Sequence, residues 1–359
     1  MTVFLTIVVI ALIGISLWQM SKILKLSQTS KTTDNSQVAN DKDNNLQGKL
    51  MLAFVLFLYL LTIFCFVQYN SFFLPESASE HGSEYDRLML ISMILIMFVQ
   101  VITQGLLHFF SYKYRGNKNN KALFYADNDK LEFIWTIIPV IVLAGLIIYG
   151  LFTWTDIMNI DEEEGDPLII ELYAYQFDWR ARYSGQDNVL GKANVRFIEG
   201  VNTLGIDPSD SYGKDDKVTN ELHLPAGRKI IFKLRSQDVL HSAYMPFFRA
   251  QMNVVPGMIT EFSYTPVLTT KEMRDKEFMI DKVATINEIR REKSKGLVAK
   301  GEEPLETYEF DYYLLCNKIC GASHYNMQMK LIVESEEEFE KWVSEQQTFQ
   351  EQISAQAGN

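Results

Sequence analysis

The chain has 359 residues, 47% of them hydrophobic, and a formal net charge of −11. Of its 45 acidic and 34 basic residues, 35 and 23 fall within 156–359, so the whole negative balance lies in the C-terminal half. An acidic globular half argues against nucleic acid, whose phosphates need a basic surface, and is compatible with a basic protein partner steered by charge.

Four apolar runs come first, at 2–20, 50–68, 88–110 and 133–154. Each has about the 20 residues needed to cross ~30 Å of hydrocarbon as a helix. Trp18, Trp135 and Trp154 fall near run ends, where aromatic rings favour the membrane interface, and Pro139 lies one turn into the last run, a tolerated place. Segments 21–49 and 111–132 are rich in Lys and Arg, whereas 69–87 sets Glu76, Glu80, Glu84 and Asp86 against Arg87. Basic segments stay cytoplasmic, which predicts four retained helices, both termini outside, and the acidic half outside. A cleaved signal peptide does not fit, because the first run lacks a basic start and an A-x-A site.

From about residue 166 the pattern shortens to period-2 alternation rich in Tyr, Phe, Ile and Val: PLIIELYAYQFDWRARY, KVTNELHLPAG, RKIIFKLRSQDVLHSAYMP, ITEFSYTPV, TYEFDYYLLC and MQMKLIVES. This predicts an antiparallel β-sandwich or barrel. LPAG and VVPGM read as turns, and 184–217 as a long loop. Residues 267–305 form a charged, partly helical insertion between strands. Ser335 followed by Glu338 makes a capping box, opening a closing helix with Phe339, Trp342, Val343 and Phe349 on its apolar face. The chain thus divides into an N-terminal helix and cytoplasmic linker (1–49), three further membrane helices (50–155), an extracytoplasmic β domain (156–334) and a C-terminal amphipathic helix with its tail (335–359).

Three cysteines occur, and no CxxCH, so the chain attaches no c-type haem. Cys65 lies in an apolar run and reads as a small hydrophobe. Cys316 and Cys320 belong to the string Cys316-Asn-Lys-Ile-Cys320-Gly-Ala-Ser-His324-Tyr-Asn-Met327, and Asp238-Val-Leu-His241-Ser lies upstream. Two thiols, two imidazoles and a thioether form a soft donor set of the kind that selects copper. One Cys, two His and a weak Met describe a mononuclear blue-copper site; a second thiolate allows two coppers bridged by both sulfurs. A Cys316–Cys320 disulfide would leave His324 and Met327 unexplained, and a structural zinc site would more often show CxxC and would not use methionine.

This string resembles the dicopper (CuA) domain of cytochrome c oxidase subunit II, across roughly 88–345 less the insertion. Glu132-Phe-Ile-Trp135-Thr136-Ile-Ile-Pro139 is similar to the opening of that family's second membrane helix. Tyr175-Gln176-Phe177-Asp178-Trp179 resembles its aromatic strand near the copper, and Val255-Pro256-Gly257 follows the first histidine region as there. The resemblance implies a cupredoxin-like barrel or sandwich. It implies His241, Cys316, Cys320, His324 and Met327 as side-chain ligands of a dinuclear copper centre, with the Lys318 main-chain carbonyl. It further implies electron acceptance from a c-type cytochrome near Phe177 and Trp179, transfer to haem in subunit I, O2 reduction with proton pumping, and Glu132 at a proton-path entrance. The expected setting is a bacterial inner membrane with the copper domain on the periplasmic face, in contact with lipid, subunit I and other oxidase subunits.

Several positions depart from the family. Lys318 stands where a glutamate usually reaches a magnesium ion shared with subunit I; an ammonium cannot ligate that cation, which leaves the magnesium contribution unsupported here. Phe177 replaces the tryptophan at which electrons enter, with Trp179 the nearest substitute, and Gln251 and Asn253 stand where Lys and Asp are common. The insertion 267–305 is able to order against a partner, which predicts a cytochrome donor held in a stable supercomplex. The competing readings are a copper-free quinol-oxidase subunit, the dicopper domain of nitrous oxide reductase, and a membrane-anchored copper carrier.

Overall fold

The computed structural model describes residues 2–29, 40–70, 73, 75–161 and 165–357; residues 30–39 of the basic segment 21–49, Lys31 among them, lie outside the described residues. Among the described residues, four helices are long and apolar enough to cross a membrane: α1 (Thr2–Thr29), α2 (Asp41–Tyr69), α3 (Gly82–Lys113) and α4 (Asp129–Ile157). Each outruns its apolar run, because a helix continues through polar residues until a cap stops it. At the start of α2, for example, the Asn40 side chain accepts from the Asp43 amide, with Asp41 and Asp43 in the turn where the dipole favours anions. Pro139 sits inside α4 without ending it. Their apolar side chains are mostly exposed, as a lipid-facing surface requires, and the chain is an integral membrane protein.

The chain clusters into two units, Met1–Asn70 with Met93–Thr136, and Ser71–Ser92 with Ile137–Asn359. In the first, polar bonds tie α2 to the end of α3: Arg115 Nε donates to Asn45 at 2.6 Å and the Lys118 amide to Asp41 at 3.1 Å. His108 is buried there, its Nδ1 2.7 Å from the Gln104 carbonyl one turn back.

The second unit holds ten strands: β1 (Leu168–Tyr175), β2 (Asp178–Tyr183), β3 (Lys217–Thr219), β4 (Leu222–Pro225), β5 (Ile230–Ser236), β6 (His241–Met245), β7 (Ala250–Val254), β8 (Thr260–Tyr264), β9 (Tyr312–Cys316) and β10 (Gln328–Glu334). They form two five-stranded sheets, β3-β2-β1-β5-β8 and β4-β10-β9-β6-β7. Ile170, Leu172, Trp179, Phe232, Leu314 and Leu331 fill one core cluster. Four apolar helices and a two-layered β domain are therefore the architecture that the apolar runs and the alternation predict.

Four details differ from that expectation. The sheets are mixed rather than antiparallel: β1 runs parallel to β5, and β4 to β10. Period-2 alternation says which face a side chain takes, not which way a distant neighbour runs. Strand β7 was not predicted, because AQMNV exposes Gln251 and Asn253 and takes its register from β6. The insertion is more ordered than predicted, with α5 (Thr270–Arg274) and α6 (Glu277–Val298) followed by a returning strap. Asn287 bonds both main-chain groups of Tyr308 (3.0 and 2.7 Å), and Arg290 reaches the Glu306 carbonyl at 2.8 Å, so the insertion orders on itself without needing a partner. The closing helix is two helices, α7 (Glu336–Ser344) and α8 (Phe349–Ala357). The capping box at Ser335 forms, with Phe339 in the main core, but Phe349 joins a separate cluster with Tyr173, Leu204 and Ile206.

That second cluster lies where the 184–217 loop and α8 cover the outer face of β1, which is why β1 is buried on both faces. Three charges are buried there too, with Arg235 half-buried beside them. Arg182 pairs with Glu171 at 3.0 Å and with Asp216, and Arg235 Nε donates to Glu171 at 2.5 Å. Burial alone would raise the Glu171 pKa, but Arg235 and Arg182 outweigh it and hold it below the ordinary carboxylate value. Burial dominates at Asp216, which shares its single arginine, and pushes it up to about 6.

Candidate metal centre

The donors named from sequence converge at one end of the second sheet. His241 opens β6 and Cys316 closes β9, and register pairs Ala243 with Cys316. The loop after β9 returns through Cys320 and a 3-10 turn at His324–Asn326 to Met327, just before β10. Cys316 Sγ lies 3.8 Å from His241 Nδ1, 3.2 Å from the Lys318 carbonyl oxygen and 4.0 Å from Cys320 Sγ. Cys320 Sγ lies 3.6 Å from His324 Nδ1 and 3.7 Å from Met327 Sδ. His241, Cys316, Cys320 and Met327 are buried, His324 half-buried, and Lys318 exposed with its carbonyl turned in.

These distances discriminate among the chemical readings. The sulfurs stand far beyond the ~2.05 Å of a disulfide, and both cysteines are free. Two sulfurs each bound at about 2.3 Å to a shared ion lie at most roughly 4.6 Å apart, a limit the 4.0 Å separation meets. Ligand atoms of His241, Cys316 and Cys320 all lie within 4.8 Å of one another, a group that could hold a metal ion. With His324, Met327 and the Lys318 carbonyl added, there are more donors than one tetrahedral ion uses. The set fits two soft ions sharing the thiols.

Protonation is arranged for ligation. Burial raises the Cys316 pKa, but His241 beside it and hydrogen bonding to Ser242, Lys318 and His324 outweigh this and hold it at about 6. Burial, then the charge of Cys316, pushes Cys320 up to about 11, so a metal taking both thiolates would displace a proton. Burial lowers the His241 pKa, while Cys316 and Asp238 raise it more. His241 Nε2–H donates to Asp238 Oδ1 at 2.9 Å, which fixes the tautomer that leaves Nδ1 facing the thiols.

The turn between β1 and β2 closes the site from the other sheet. Asp238 also accepts from the Gln176 amide at 2.7 Å, and the Gln176 side chain donates to the Cys320 carbonyl. Gly321, at φ +145°, leaves no room for a Cβ, which would come within 2.8 Å of Gln176 and of the Phe177 ring. Sequence reading quoted Asp238 and Gln176 without giving them roles. The Asp-x-x-His spacing could have revealed Asp238, and Gly321 stands inside the Cys-x3-Cys-Gly string; nothing local marks Gln176, whose contacts span the fold.

The model of the cytochrome c oxidase subunit II transmembrane domain matches residues 67–152. An alternative cytochrome c oxidase subunit 2 of Bradyrhizobium diazoefficiens is 30% identical over 240 residues, 66% of this chain and 71% of that one. The chain belongs to the cytochrome c oxidase subunit II family. The cytochrome c oxidase subunit 2 of Alkalihalophilus pseudofirmus is 25% identical over 293 residues, covering 80% of this chain and 65% of that one. Among solved structures, the periplasmic domain of subunit II of cytochrome oxidase from Bradyrhizobium japonicum is 20% identical, with a TM-score of 0.29, covering 51% of this chain and 95% of that chain.

Within this subunit II chain, the remaining predicted site residues lie apart from the donors or behind them. Phe177 is partly exposed, its ring against Gly321. Trp179 is fully buried, its ring centroid 6.2 Å from that of His241, so it stands behind the site and cannot itself touch a partner. Glu132 is exposed in the first turn of α4, in the other unit of the chain.

Proposed function

We propose that this chain is the electron-accepting subunit of a respiratory cytochrome c oxidase, with His241, Cys316, Cys320, His324, Met327 and the Lys318 carbonyl holding a dinuclear copper centre. The observation that carries this reading is the pair of buried free thiols 4.0 Å apart, flanked by two imidazoles, a thioether and a carbonyl, in a subunit II chain. Two copper ions held by these residues would supply a one-electron relay. The chain's own part is to hold the ligands rigidly. Asp238 orients His241, and Gln176 with Gly321 clamps the turn bearing Phe177 onto the ligand loop.

A c-type cytochrome would dock over Phe177 and deliver electrons, which pass to haem in a catalytic subunit that reduces O2. The acidic β domain suits a basic or tightly held donor, and α6 with its strap offers that donor a preformed surface. The basic inward segments support a β domain outside the cytoplasm, on the periplasmic face of a bacterial inner membrane. Glu132 would stand at the mouth of a proton path in the catalytic subunit. Its replacement by Gln is then expected to slow oxidase turnover while leaving reduction of the copper centre intact.

The deciding experiment is copper analysis with optical and electron paramagnetic resonance spectroscopy of the purified oxidase. Two coppers per chain with a delocalised mixed-valence signal are expected. A copper-free chain would support the quinol-oxidase reading, and copper bound without a delocalised signal a carrier.

A further inference from the structure

The chain before α3 is stitched to the connection between β6 and β7 and to the residue that follows β8. The Ala78 amide donates to the Phe247 carbonyl at 2.8 Å, Ser79 Oγ to the Phe248 carbonyl at 2.7 Å, and the Glu80 amide to the Thr265 carbonyl at 3.0 Å. Ser77, Ala78 and Ser79 are buried by these bonds. Asp86, in the second turn of α3, then takes both arms of Arg249: Nε to Oδ1 and Nη2 to Oδ2, each at 2.8 Å. The same guanidinium donates to the Pro246 carbonyl at 3.1 Å and the Pro75 carbonyl at 2.5 Å, and its side chain is 6% exposed.

Two further observations single Arg249 out. Its φ of +53° is a left-handed conformation that a residue with a Cβ rarely adopts. Beside it lies a cavity of about 510 Å³ lined by Leu88, Trp154, Tyr244, Phe262 and Arg249 itself. Where apolar packing is incomplete, directed charge-assisted bonds set the geometry of a joint.

We infer that Arg249 is a positioning residue: with Asp86 it locks the β6–β7 hairpin to the start of α3. His241 opens β6 and Arg249 follows its far end, so the lock fixes the metal centre against the α3–α4 helix ends. Its purpose rests on the electron-relay reading, since transfer to a catalytic subunit needs a constant distance. The lock itself does not depend on that reading.

The test uses the full chain in the purified oxidase. Asp86→Asn removes the carboxylate charge without touching the β domain, and Arg249→Lys keeps the charge but loses the fork. In both, the amides of Ala78 and Glu80 should exchange hydrogen faster, with copper content and spectrum unchanged. Haem reduction following copper reduction should slow severalfold, because electron transfer between separate centres falls off exponentially with the distance between them. Asp86→Arg combined with Arg249→Asp should recover part of both losses. Unchanged exchange at Ala78 and Glu80 in both single variants would overturn the lock. Faster exchange with undiminished haem reduction would overturn the positioning role. Should the wild-type chain hold no copper, the electron-relay reading falls, while hydrogen exchange still decides the lock.

Discussion

The two sheets of the β domain bury different polar chemistry. The sheet containing β6, β9 and β10 gathers thiols, imidazoles and a thioether at one end, with a carbonyl turned in from an exposed loop. The sheet built on β1, β2 and β5 holds no comparable donor group among the described residues, and buries Arg182, Glu171 and Asp216 under a loop and a helix, with Arg235 half-buried beside them. Soft donors can be buried before an ion arrives because they are neutral or easily deprotonated. Full charges enter a core only when they balance, and here two arginines meet two carboxylates. One sheet is therefore arranged for a ligand, and the other for its own stability.

The largest expected effect separates these roles. Cys316→Ser or Cys320→Ser should abolish the delocalised copper signal and most bound copper while the domain stays folded, because a hydroxyl is a poor substitute for a bridging thiolate. Unchanged copper content and resonance spectrum would refute the site. Met327→Leu should keep the copper and shift its potential, since the thioether is a weak ligand.

The opposite break is Arg182→Met, which strands the buried Asp216 and leaves Glu171 with Arg235 alone, and should cost about 3–5 kcal/mol of stability, read from denaturant unfolding. Copper per folded chain should not change; a parallel loss of copper from the folded fraction would show the two sheets to be one functional unit.

A subtler division lies in pH. Glu171, held low in the fold, contributes stability that is present above its unfolded value of 4.5 and lost as pH falls below it. Asp216, raised to about 6, does the reverse: stability drops as pH climbs from 3.8 through about 6. Melting temperatures should show Glu171→Gln removing the acid-side loss and Asp216→Asn removing the loss on the way to pH 6.

The smallest effect tests a part that belongs to neither sheet. Ser335→Ala removes the capping box of α7 and should cost about 1 kcal/mol, measurable as a lowered melting temperature with the copper spectrum intact.

What the sequence determined by itself is what local pattern encodes. Apolar length gave the four helices, and period-2 alternation gave a two-sheet domain. The Cys-x3-Cys-Gly-x2-His-x2-Met string gave the donor set, since that loop needs no distant information to be recognised. Ser335 and Glu338 announced the start of α7 for the same reason. What the tertiary structure decided depends on residues far apart in the chain. The parallel pairing of β1 with β5, the break before Phe349 and the burial of Trp179 behind His241 follow from packing that no local period records. The hold of Asp238 and Gln176 on the ligand loop, and the reach of Arg249 across 163 positions to Asp86, exist only once separate elements meet, because a hydrogen bond is fixed by distance and direction in space rather than by spacing along the chain.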